Sequence, residues 1–278
     1  MCLRLMIAVV IGGLLGWLGT NSARAAEATA VTKALSSNDS TQIDQAIADI
    51  RAMLVGPTRF AAIENLKARW LRTLITLKRH DEAAELALAG VLAWPLRLAD
   101  VEPLMKLRVE ALLAAGKHQE ALAAAKGLFN VCSMASTSEA INILHTCVRL
   151  AHADNPSVLA QFRQEQETGA VVSDRPPPRA GLGTVMASIV IDPRPFDEAL
   201  TRYGDDYDAL ICRGNLLLLS DRPREARRIF EMVYEQASDA QLAEATENLV
   251  RCVKAEDGSI GRANKMVLDL RPGKQQGG

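Results

Sequence analysis

Between Ser40 and Leu54 the apolar residues fall at intervals of three and four: Ile43, Ala46, Ile47, Ile50 and Leu54. That period predicts a helix with one buried stripe, capped by Ser40 or Thr41 and ended by Gly56-Pro57. The same pattern runs on. Ile63, Leu66, Trp70, Leu71 and Leu74 predict a helix from about Arg59 to Leu77. Another is predicted from Asp81 to Ala93, where Trp94-Pro95 stops it. Further helices are predicted over Pro103–Ala115, His118–Val131, Ser138–His152 and Pro156–Glu167. At Thr168 the periodicity breaks into a stretch with three consecutive prolines and several glycines, reaching Pro195, which reads as a linker. Helical patterns resume with "FDEALTRYG". They continue as two pairs, "DDYDALICRGNLLLLS" with "RPREARRIFEMVYEQA" and "AQLAEATENLVRCVKAED" with "SIGRANKMVLDL".

A self-similarity underlies these pairs. Ala83, Ala121, Ala226 and Ala263 each open a second helix after a short turn; the first two are 38 residues apart and the last two 37. Nine residues before each stands Leu74, Leu112, Leu217 or the aliphatic stem of Lys254. Such spacing has a physical use. A small residue where two helices cross lets the backbones approach, and a large one fills the groove beside it. One pair cannot bury its apolar face alone, so pairs stack.

The arrangement resembles the tetratricopeptide repeat. Trp70, Ala83, Gly90 and Pro95 fall on its large, small, small and proline positions. Gly116 and Ala121 fit in the second unit, with His118 where the family has tyrosine. Gly214, Ala226 and Phe230 fit in the third, and Gly258, Ala263 and Pro272 in the last. The unit is longer than the family's, and Leu71 and Val109 replace its first-helix glycine. The resemblance implies an all-α fold: an α-solenoid of antiparallel helix pairs wound as a right-handed superhelix. It also gives His80 and His118 one shared structural slot, in place of a pair of reactive imidazoles.

Composition agrees. The chain is 49% hydrophobic and only 4% aromatic, a bias toward close-packed helices over a β-sandwich. The first residues look like an export signal: Arg4, an uncharged apolar run from Leu5 to Leu18, and Ala23-Arg24-Ala25 before a cut after Ala25. An uncleaved anchor is the alternative. The expected organisation is a signal peptide over 1–25, a flexible lead over 26–38, a helical-repeat block over 39–168, a linker over 169–195, a second block over 196–271 and a disordered tail over 272–278. The formal charge of −1 offers no basic surface for nucleic acid. Cys132, Cys147, Cys212 and Cys252 permit two disulfides in an exported protein, but Cys212 and Cys252 lie on apolar helical stretches that favour buried thiols.

Catalytic motifs are missing from the sequence: no Gly-x-Ser-x-Gly, no phosphate loop, no His-Glu-x-x-His. His145 and His152, with Cys147 between them, make at most half a metal site. No cofactor is expected. Two features suggest binding. Arg222, Arg224, Arg227 and Arg228 form a basic cluster interleaved with Glu225 and Glu231, suited to a partner's carboxylates. Arg213-Gly214-Asn215 resembles the point at which peptide-clamping tetratricopeptide domains aim an asparagine into their groove. The expected site is therefore Arg213, Asn215, Arg224 and Arg227, and the expected role is an exported, periplasmic or secreted scaffold or adaptor holding a protein or peptide. The alternatives are an architectural subunit of an envelope complex or an accessory domain of an enzyme.

Overall fold

The computed structural model describes residues 26–37, 39–55, 61–95, 97–169, 188–257 and 265. The proposed signal peptide, most of the linker, Ala263 and the tail lie outside them. The described residues are all-α. The helices are α1 (26–35), α2 (Ser40–Val55), α3 (Ala61–Thr76), α4 (His80–Ala93), α5 (Leu98–Ala114), α6 (His118–Val131), α7 (Thr137–Ala151) and α8 (Pro156–Gly169). After the linker come α9 (Arg194–Leu200), α10 (Tyr207–Leu219), α11 (Pro223–Gln236) and α12 (Leu242–Asp257). Consecutive helices from α3 to α7, and from α9 to α12, pack side by side.

Three of the connections are the same turn. Leu77–Arg79, Ala115–Lys117 and Ser220–Arg222 each join two helices through three residues. The middle residue is left-handed every time: Lys78 at φ 60°, Gly116 at 73° and Asp221 at 63°. Its N–H donates to the carbonyl three residues back, on Ile75 (3.0 Å), Leu113 (3.0 Å) or Leu218 (3.1 Å). The next N–H donates five residues back, to Leu74 (2.9 Å), Leu112 (2.9 Å) or Leu217 (2.8 Å). This is the Schellman closure, which satisfies carbonyls that the helix end would leave bare. The second helix then starts within one residue, and Ala83, Ala121 and Ala226 are buried in its first turn.

The residues expected to form a flexible lead form α1 instead. Ala28, Val31 and Leu35 enter the core, and the buried Trp70 indole N–H donates to Thr32 Oγ1 at 3.0 Å. An alanine- and threonine-rich segment needs only this narrow stripe once a large partner such as Trp70 covers it. Asp39, not Ser40 or Thr41, caps α2: its carboxylate accepts from the Thr41 N–H at 2.9 Å. α5 begins at Leu98, before Pro103, and tolerates the proline inside.

One large core runs from Ala28 to Cys252 through both halves of the chain. Its centre is α6, buried on every side from Ala124 to Val131, and α10, buried at every residue from Ala209 to Leu219 except Arg213. The two meet closely: a Cβ added to Gly127 would lie 3.0 Å from the Leu219 carbonyl oxygen. α12 also packs on α6, and α9 packs on α4. The two predicted blocks thus share an interior.

Candidate functional site

The seam between the halves uses most of the buried polar side chains. Lys126 of α6 donates to Asp221 Oδ2 at 2.5 Å and to the Ile189 carbonyl at 3.1 Å. Asn130, one turn on, donates to the Leu218 carbonyl (3.2 Å) and Asp221 Oδ1 (3.1 Å). Aspartate suits this left-handed turn because its short polar side chain tolerates the conformation and here holds both partners. At the C-terminal end of α6, Arg251 donates to the Val131 carbonyl at 2.9 Å and Lys254 to that of Cys132 at 2.7 Å. Two cations therefore face the negative end of the helix dipole. Each also lies over a ring, Arg251 5.5 Å from the Phe230 centroid and Lys254 Nζ 5.2 Å from that of Phe129. Burial pushes the pKa of both cations below their ordinary values.

Asn215 belongs to this seam and not to a groove. It is fully buried, donates to the Pro95 carbonyl at 2.5 Å and accepts from Arg251 at 3.0 Å. The expectation that it contacts a peptide is corrected: the side chain is closed in, with Pro95 and Arg251 taking its polar atoms. Gly214 beside it makes room for the Phe230 ring, since a Cβ there would lie 2.3 Å from Phe230 Cζ. Tyr203 adds a third tie, donating to the Ala93 carbonyl at 3.0 Å.

Arg213, Arg224 and Arg227 stay toward solvent around α10 and α11. A cleft of about 370 Å³ opens where α9, α10 and α11 diverge, lined by Leu200, Arg213, Leu217, Arg222, Arg228 and Ile229 among others. Arg213 is held by Asp205 at 2.5 Å. Arg222 bridges Asp197 of α9 and Glu225, both at 2.6 Å, and its hydrogen bond holds the Glu225 carboxyl below the usual range. Arg228 makes no hydrogen bond or close ion pair to any described residue, although its charge helps to hold the Glu225 carboxyl low. Arg224, one turn earlier on the same face, makes none either. Arg227 turns away, paired with Glu231 (3.2 Å) and Glu256 (3.7 Å). One turn beyond Arg228, Met232 is 42% exposed. Arg224, Arg228 and Met232 therefore form a ridge at spacing i, i+4, i+8, two cations that donate no hydrogen bond to a described residue, followed by an apolar side chain.

So the cleft brings Arg213 together with Arg222 and Arg228. Arg224 stands on the adjoining ridge, and Asn215 and Arg227 are elsewhere. Arg228 and Met232 are not among the residues expected from the sequence, although the basic cluster there contains Arg228. The four cysteines of the described chain are buried and form no disulfide, and burial pushes Cys147 up to about 11 and Cys252 up to about 12. His145 packs edge-on against Phe162, ring centroids 5.0 Å apart, and burial lowers its pKa. Among the described residues no three His, Cys, Asp or Glu side chains cluster as a metal would require. No helix among them is long and apolar enough to cross a membrane. Comparison of the chain with protein-family models, curated proteins and solved structures gave no match.

Proposed function

We propose that the protein is an exported scaffold or adaptor built from tetratricopeptide-like helix pairs, and that it holds an acidic segment of a partner protein against α11. The observation that carries this reading is the Arg224–Arg228–Met232 ridge beside the cleft. Arginine presents planar, multiply donating groups matched to carboxylates, and exposed arginines that donate no internal hydrogen bond keep those donors available. The methionine adds an adaptable apolar contact. An acidic segment carrying an apolar residue complements both. The three matching turns support the tetratricopeptide-like character of the pairs. The step from such a fold to a binding role is one of analogy, and the arginine ridge narrows it. Export rests on the leader pattern.

The test is calorimetric titration of the purified protein with a heptapeptide of alternating Glu and Leu, against a Lys and Leu control. Binding of the acidic peptide alone is expected, weakening at least tenfold in Arg224→Glu/Arg228→Glu and falling with added salt. Equal binding of both peptides, or binding indifferent to the charge reversal, contradicts the reading.

A further inference from the structure

A second cavity lies where the chain returns from the linker. It measures about 400 Å³ and is bounded by α4, α5, α6, the start of α9 and the segment leading into it. Its walls are largely apolar: Leu88, Met105, Ala123, Ile191, Phe196 and Leu219. That volume falls within the range of sites that enclose small ligands, roughly 300–1,000 Å³. Arg108 of α5 projects into it.

Arg108 is half-buried, unlike the fully buried cations of the seam, and differs from them in its partners. Lys126 has Asp221, Arg251 has Val131 and Asn215, and Lys254 has Cys132. Arg108 makes no hydrogen bond or ion pair among the described residues, and its Nε is buried without an acceptor. Burial pushes its pKa down to about 10, against the weak pull of Glu120. Glu120 is exposed at the rim and solvated. Asp192, the other acid in the lining, is engaged by Arg194 at 2.7 Å. An Nε–H shut off from water without an acceptor carries a penalty that an anionic partner entering the cavity relieves. Around it are apolar walls, and Val190 beside the opening is 82% exposed.

We propose that this cavity binds a carboxylate on an apolar body, with Arg108 anchoring the carboxylate and the Met105–Ile191–Phe196 walls taking the body. Both a free aliphatic or aryl-alkyl acid and the C-terminus of an apolar peptide present this chemistry. The site is separate from the arginine ridge of α11 and does not depend on it.

The experiment is thermal-shift and calorimetric titration of the purified protein with octanoate, 3-phenylpropanoate, octanol, and an acetylated Leu-Phe dipeptide as free acid and as amide. Saturable binding is expected for at least one carboxylate, at least tenfold tighter than for its uncharged counterpart. Octanoate or 3-phenylpropanoate binding assigns the site to free acids; binding of the dipeptide acid alone assigns it to peptide C-termini. Arg108→Met should keep or raise the ligand-free melting temperature, because it removes an Nε–H buried without an acceptor, and should abolish the preference for acid. Arg108→Lys should retain part of it. No saturable carboxylate binding, equal binding of acid and neutral probes, or an unchanged preference in Arg108→Met overturns the proposal.

Discussion

The Lys254 ammonium lies 2.7 Å from the carbonyl oxygen of Cys132 and so closes the C-terminal end of α6 with a charge carried by α12. The contact spans 122 residues of chain. It makes a cation part of the interior that joins the two halves. Its side chain both fills space and satisfies a carbonyl, and substitutions separate these roles. Lys254→Ala empties the space and bares the carbonyl, and should cost about 3 kcal/mol in denaturant unfolding. Lys254→Met keeps most of the volume without burying a charge, and should cost distinctly less.

The three left-handed turns make a graded prediction. Lys78 adopts φ 60° with a side chain that disfavours it, so Lys78→Gly should stabilise the fold by about 1 kcal/mol. Gly116→Ala should destabilise by about the same amount. Asp221→Gly gains the same conformational relief but loses the partner of buried Lys126, so it should be net destabilising by about 2 kcal/mol. Chemical denaturation of the three variants checks the order.

Gly214 and Phe230 form a coupled pair. Gly214→Ala drives a methyl into a fully buried ring and should cost about 1–3 kcal/mol. In a Phe230→Leu background the same change should cost much less. A double-mutant cycle by thermal melting measures the difference.

The helices themselves were legible because periodicity and stop signals agree. His118–Val131 falls where the pattern predicts it, and His80 and Thr137 start their helices one residue before the predicted points. The repeat was legible too, since Leu74, Leu112 and Leu217, picked out by spacing, supply the carbonyls that close the three turns. The local Arg213-Gly214-Asn215 motif points Asn215 to a groove, but the helix around it does not. Leu210, Ile211, Cys212 and Leu216 to Leu219 make α10 apolar nearly all round, which marks a helix buried on all sides and any asparagine within it as interior. The approach of α6 to α10 left no trace in the pattern. A contact such as Gly127 with Leu219 depends on two surfaces distant in sequence, and periodicity reports one surface at a time.

Glu225 offers a pH-dependent check on the α9–α11 cleft. Its hydrogen bond to Arg222 lowers its pKa from 4.5, so the folded state holds the ionised form more tightly than the unfolded chain does. Its contribution is present above 4.5 and is lost as pH falls through the lower folded value. Carboxyl NMR titration should show a Glu225 midpoint below 4.5, returning toward 4.5 in Arg222→Gln.

The central functional claim concerns the ridge on α11, and in-cell photo-crosslinking tests it most directly. A benzoylphenylalanine at Met232 preserves both arginines, and one at exposed Gln45 on α2 serves as control. Position 232 should capture one partner through an acidic segment read by mass spectrometry, position 45 should not, and Arg224→Glu/Arg228→Glu should abolish the capture. Capture that persists through the charge reversal, or that occurs from position 45 and not from 232, contradicts the account.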